Sequence, residues 1–203
     1  KEEWKNLYKK VKNNNKKSIK QVDHEYNNLN KQIIYFFNKN FYKNKNSYIL
    51  NKYIEVYKKT LTNYLNKKNS YNLVELGSGY GSKIINLALS LNKDYKINYY
   101  SGELSLNGRN ISNYISKKNN LKLKTFKFNF LDKSSYKFIP QNSVIFTSYS
   151  MHYMHKIKNS LFNNLKKTKP ILIINFEPLF EIHDKRSVHG NLCKNYIIKN
   201  GYC

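Results

Sequence analysis

Arginine is nearly absent from this chain. Of its 37 Lys and Arg residues, only Arg109 and Arg186 are Arg, and acids number 12, which leaves a formal charge of +25. The guanidinium fork is the group that matches phosphates and base edges, so its scarcity argues against a nucleic-acid reader despite the charge. The lysines are also dispersed among Asn and Tyr along the whole chain rather than gathered into a stripe. A Lys/Asn/Ile/Tyr bias is what an AT-rich genome encodes; a preference for an acidic partner is the other reading. Cysteine is scarce too: Cys193 and Cys203 stand near one end without metal-ligand spacing. That excludes a disulfide framework and sets an intracellular, cytoplasmic location as the expectation. No apolar run reaches the roughly 18 residues of a membrane-spanning helix, and no signal peptide is visible. His152, His155 and His183 fit no metal signature, so no metal is expected.

What is present suffices for one core. The chain has 203 residues, 40% of them hydrophobic, and its 19 tyrosines dominate the aromatics. Residues 1–20 are Lys- and Asn-rich and read as a frayed or linker-like start. Ile33, Ile34, Phe36, Phe37 and Phe41 form an apolar patch. After it, Tyr48, Ile49, Tyr53, Val56, Tyr57, Leu61 and Leu65 recur at helical spacings. Residues 22–66 therefore read as two or three helices. The pattern changes near residue 70, which divides the chain into an N-terminal helical extension or lid (1–70) and an α/β domain (71–203). Within the latter, five strands are predicted at 73–76, 95–100, 121–128, 144–147 and 171–176. Helices are predicted between them at 83–91, 109–116 and 156–167, with a further helical stretch at 191–199. Such alternation implies a parallel sheet with flanking helices. The last strand is the most apolar, and a central place in the sheet is expected for it.

The most informative stretch is Glu75-Leu76-Gly77-Ser78-Gly79-Tyr80-Gly81. A short buried strand runs into three alternating glycines and then a helix, which brings bare backbone to a ligand at the carboxyl edge of the sheet. The spacing is neither the dinucleotide fingerprint nor a P-loop. An acid at the strand end opposes a phosphate and suits a ligand carrying an ammonium group.

This stretch resembles the first motif of the class I S-adenosylmethionine-dependent methyltransferases, and by order and spacing the resemblance extends over residues 71–177. It implies a Rossmann-like fold, S-adenosyl-L-methionine as cofactor and methyl transfer as the activity. Glu75, Gly77, Ser78, Gly79 and Gly81 correspond to the turn that faces the methionine part. Glu103, after Ile97-Asn98-Tyr99-Tyr100-Ser101-Gly102, corresponds to the acid that binds the ribose, with Leu104 beside it. Asp132, in Phe128-Asn129-Phe130-Leu131-Asp132, corresponds to the acid at the adenine amino group. Ser148, at the end of Val144-Ile145-Phe146-Thr147-Ser148-Tyr149, lies beside the sulfonium. The family's two closing antiparallel strands are not recognisable in 178–203, which suggests an incomplete C-terminal end.

Candidate chemistry follows the fourth and fifth strands. His152 and Glu177 are the candidate bases, and Tyr149, Tyr153 and His183 are candidate substrate contacts, with Asp184 nearby. Glu25, Tyr26 and Phe37 are plausible lid contacts. The expected acceptor is an N or O atom of a small metabolite or natural-product precursor. The alternatives are a peptide or protein side chain, an RNA base, or an inactive cofactor-binding module.

Overall fold

The computed structural model describes residues 2–37, 40–66, 69–92, 94–154, 157–177, 184 and 186–200, with the side chains of Phe36 and Phe37 left out. Its centre is a five-stranded sheet built from β3 (Ser70–Leu76), β4 (Lys96–Glu103), β5 (Leu123–Lys127), β6 (Ser143–Ser148) and β7 (Leu172–Phe176). The order is β5-β4-β3-β6-β7, and every neighbouring pair is parallel. The chain winds outward from β3 first to one side and then, after β5, to the other. A crevice therefore opens at the carboxyl ends of β3 and β6, the switch point where open α/β sheets bind ligands.

Strand periodicity explains how β3 serves two cores. Tyr71 and Leu73 point to one face and pack with Ile84, Ile85, Leu87, Ala88 and Leu91 of α4 (Ser82–Leu91) and Ile111 and Ile115 of α5 (Leu106–Lys118). Val74 and Leu76 point to the other and pack with Phe128, Tyr136, Ile145 and the α6 (Asn159–Lys167) residues Leu161 and Leu165. β7 lies at an edge of this sheet, with part-exposed side chains, so the expected central place for the strand at 171–176 is corrected. Apolar content reports coverage of a strand's faces, not its rank in the sheet.

The N-terminal segment differs from the linker-like start and all-helical reading. Residues 2–13 form α1 (Glu2–Asn13), which buries Leu7 and Val11 while its lysines face solvent. Ser18 caps α2 (Ile19–Asn27) through a reciprocal capping box with Gln21. β1 (Gln32–Phe37) and β2 (Asn40–Lys45) pair antiparallel, where helix was expected. α3 (Asn46–Thr62) follows directly. Leu7, Val11, Ile19, Val22, Tyr57 and Leu61 belong to the same core as Leu73 and Ile84, so the segment before residue 70 and the sheet share one apolar interior. Past β7, α7 (Val188–Lys199) spans the predicted helical stretch, and no strand is found there among the described residues. No described helix is long and apolar enough to cross a membrane.

Candidate active site

The turn between β3 and α4 is held in place before any ligand arrives. Gly77 N–H donates to Gly102 O at 2.8 Å, and the Ser78 and Ser101 hydroxyls lie 2.6 Å apart. Gly77 has φ +72°, and a Cβ there would collide with the Ser150 side chain, so backbone and the β6 loop touch directly. Gly79, at φ +58°, has the Trp4 ring of α1 above it, 3.3 Å from the position a Cβ would take. Gly81 precedes α4 and turns away from the crevice toward Ser112 of α5.

α2 is bolted to this turn. The Asp23 carboxylate, 1% exposed, accepts hydrogen bonds from Tyr80 Oη (2.8 Å), Ser82 Oγ (2.6 Å) and Asn86 Nδ2 (3.2 Å). Burial raises its pKa against these three bonds, which lower it. Asn27 donates to Tyr80 Oη as well, and the rings of Trp4, Tyr26 and Tyr80 pack with centroids 5.2–5.6 Å apart.

These elements enclose a cavity of about 560 Å³ over the carboxyl ends of the strands. Gly77, Ser78, Gly79, Tyr80, Ser82 and Lys83 line it from the glycine turn, and Glu103 and Leu104 from the end of β4. Phe128, Asn129 and Phe130 line it after β5, and Ser148, Tyr149, Ser150 and Tyr153 after β6. Trp4, Tyr26, Asn27, Asn46, Leu50, Tyr53 and Tyr57 of the N-terminal segment close it. Glu103 is the last residue of β4; its Oε2 accepts from Gly79 N–H at 2.9 Å and its Oε1 from Ser105 N–H at 2.7 Å. Burial raises its pKa, partly offset by those backbone bonds and by Arg109.

Five residues singled out from the sequence are not among those lining the cavity. Glu75 does not line the cavity: it shares a face with Leu73, and its Oε2 accepts Ile84 N–H at 3.0 Å, serving the first turn of α4. Its Oε1 is buried without a hydrogen-bond partner, and burial pushes its pKa up to about 7. Asp132 is exposed and caps a 3-10 turn by accepting Ser134 N–H at 2.9 Å, while Asn129, nearer the strand end, reaches the cavity. His152 and Glu177 do meet, with Nδ1 3.4 Å from Oε2, but as a pair whose side chains are only 6% and 8% exposed. Glu177 also accepts Ser150 N–H at 3.0 Å. Neither residue is among those lining the cavity, though the His152 ring packs against Tyr149 and Tyr153, which are. Gly81, as noted, also lies off the cavity wall.

His183 and Phe37's side chain lie outside the described residues. Asp184 is exposed and bonded to Arg186. Glu25 pairs with Lys10 and Lys16 instead of entering the cavity. Sequence reasoning missed Trp4, Tyr53 and Tyr57 as lining residues; the 53/57 helical spacing was visible, but only the sheet shows which face it turns inward. No group of three or more metal-ligating side chains occurs among the described residues.

No protein-family model and no curated protein matches this chain. Solved structures do. Coclaurine N-methyltransferase bound to N-methylheliamine and S-adenosylhomocysteine superposes with a TM-score of 0.50 at 12% identity, covering 68% of this chain and 38% of that one. A Methanococcus maripaludis protein assigned to the S-adenosyl-L-methionine-dependent methyltransferases gives 0.48 at 15% identity, covering 75% and 66%. The chain thus spans less than two thirds of the length of both. Its five parallel strands, their order and the glycine turn after the central strand make this a Rossmann-like fold, similar to that of the N-methyltransferase structure.

Proposed function

We propose that the chain is an S-adenosylmethionine-dependent methyltransferase acting on an N or O atom of a small molecule. The observation that carries this reading is the union, in one cavity, of the Gly77–Gly79 turn with Glu103 at the neighbouring strand end. The cavity suits the cofactor on three grounds. Gly77 leaves no room for a side chain, as a backbone cradle requires. Glu75 carries a buried oxygen without a partner, and a cationic ligand beyond the turn would favour its ionised form. Asn129 and Phe130 supply an amide and a ring where a purine would be gripped.

In this reading Glu103 takes the ribose hydroxyls, the glycine turn the methionine part, and Asn129 with Phe130 the adenine. When bound, the cofactor supplies an electrophilic methyl group on sulfur. The chain's own residues then orient and enclose. Ser148, Tyr149 and Ser150 form the wall at the end of β6, and the ring cluster of Trp4, Tyr26 and Tyr80 excludes water above the turn. The His152–Glu177 pair fixes Ser150, and through it the β6 loop, instead of taking a proton from the acceptor. A small-molecule acceptor fits because residues of α1, α2 and α3 close over the cavity.

The test is calorimetric titration with S-adenosylmethionine and S-adenosylhomocysteine. Glu103→Ala should weaken both by about 1–3 kcal/mol, the loss of hydrogen bonds to a charged group. Gly79→Arg should abolish binding by filling the turn. Equal affinities in the wild type and in both variants would refute the assignment.

A further inference from the structure

The half of the cavity farthest from Glu103's strand is walled by phenols. Tyr53 stacks against Tyr57 with centroids 6.4 Å apart and meets Tyr149 edge-on at 6.1 Å. The Tyr149 and Tyr53 hydroxyls lie 3.4 Å apart, and Tyr57 Oη lies 2.8 Å from Ser148 Oγ. Behind this wall stand two carboxylates that the cavity does not expose: Glu75, 1% exposed with one oxygen unpartnered, and Glu177, which reaches Ser150 N–H. Among the described lining residues the charged side chains are one Lys, Lys83, and one Glu, Glu103, on a chain of formal charge +25. The surface is cationic, yet the cavity is not.

We propose that this tyrosine-lined half of the cavity is a binding site for an organic ammonium group, so that the small-molecule substrate is an amine. The inference rests on the methyltransferase reading for the word substrate, but not for the binding site itself. Ring faces attract a cation through their quadrupole, and do so more strongly once water is displaced. Tyr57 is pushed up to about 12, by burial first and by Glu75 and Glu177 in addition, so its phenol stays neutral and its oxygen can accept from an N–H donor. A phenolate or carboxylate substrate would meet the opposite environment, with the Glu75 and Glu177 carboxyl groups behind the wall. A neutral aromatic substrate would stack on the rings but gain nothing from those carboxylates.

The test compares choline with its uncharged carbon isostere 3,3-dimethyl-1-butanol. Both are titrated by ligand-observed nuclear magnetic resonance into the full chain, with saturating S-adenosylhomocysteine so that the cofactor end is filled. Choline should bind at least about tenfold more tightly, equivalent to about 1.4 kcal/mol. The double variant Tyr53→Leu/Tyr149→Leu should erase that preference, and Tyr53→Phe/Tyr149→Phe, which keeps the rings, should retain it. Equal affinity of the two probes in the wild type, with S-adenosylhomocysteine bound, overturns the ammonium site and leaves the methyltransferase reading standing. Failure of S-adenosylhomocysteine to bind overturns that reading instead, and the same titration of the free chain then decides the ammonium site alone. Should the leucine variant not fold, the wild-type comparison and the phenylalanine variant still decide it.

Discussion

Replacing Glu75 with Gln should remove a pH dependence that this single carboxylate imposes on the fold. With one oxygen paired to Ile84 N–H and the other unpartnered in the interior, Glu75 ionises at about 7 rather than at 4.5. Burial is the main cause, with Lys83 and the Ile84 bond opposing it. At about 1.36 kcal/mol per pH unit, this displacement amounts to roughly 3 kcal/mol. The folded chain holds this proton more tightly than the unfolded chain does. The resulting stabilisation is fully present below pH 4.5 and disappears as the pH rises through about 7. Gln keeps an acceptor for Ile84 N–H and cannot ionise. The two proteins should therefore unfold with similar free energies near pH 4.5, while Glu75→Gln should be the more stable by about 3 kcal/mol near pH 8. Asp23 and Glu103, whose pKa values burial also raises, are present in both, so the difference isolates Glu75. Urea unfolding followed by circular dichroism across this range measures it. Two curves that stay parallel from acid to base would refute the reasoning.

The remaining expectations concern the same turn. Asp23→Ala leaves the Tyr80, Ser82 and Asn86 donors without their acceptor and should destabilise by about 2–4 kcal/mol in urea unfolding, since each unsatisfied buried group costs about 1–3 kcal/mol. An unchanged midpoint would mean that α2 is held by its apolar residues alone. Gly77→Ala meets both a left-handed backbone and the Ser150 side chain, so it should lose more than about 1 kcal/mol of stability and also weaken S-adenosylmethionine binding. Retention of both would show that the β6 loop yields freely. Leu61→Ala, fully buried in the core that α3 shares with α4, should cost about 2–5 kcal/mol. A loss well under that range would mean that α3 relaxes to fill the hole. Finally, a cationic ligand near Glu75 favours its ionised form, so S-adenosylmethionine binding near pH 6 should release protons. Calorimetry in buffers of different ionisation heat reads this directly, and Glu75→Gln should remove it.

The parts of the molecule legible in the sequence are those whose signals are local. The passage from Leu73-Val74-Glu75-Leu76 through the glycines into Ile84 and Ile85 writes strand, turn and helix in a dozen residues. Ser105 is the N-cap of the next helix, α5. What failed was masked or non-local. In α1, lysines and asparagines surround Trp4, Leu7, Tyr8 and Val11, so composition hides a helical spacing that becomes an apolar face only against α5 and α2. The β1 residues Ile33, Ile34, Phe36 and Phe37 form a short apolar run, which periodicity alone cannot divide between helix and strand. Asp132 drew attention as an acid, but it lies three positions past Asn129, exposed at the cap of a 3-10 turn, while Asn129 and Phe130 line the cavity. His152 and Glu177 are 25 residues apart and meet only because β6 and β7 end side by side.

Trp4 above Gly79 has a consequence for the order of assembly. During synthesis α1 leaves the ribosome about a hundred residues ahead of α5, the helix it must lie against; Tyr114 Oη and Asn15 Oδ1 bond across a separation of 99 positions. Until that partner exists, the apolar face of α1 has only α2 to lie against. The roof is thus made first and fitted last, and its docking is a long-range closure that folds slowly relative to the local βαβ units beneath it. A chaperone that shields early apolar segments would find its natural client in residues 4–11, well before any ligand site has formed.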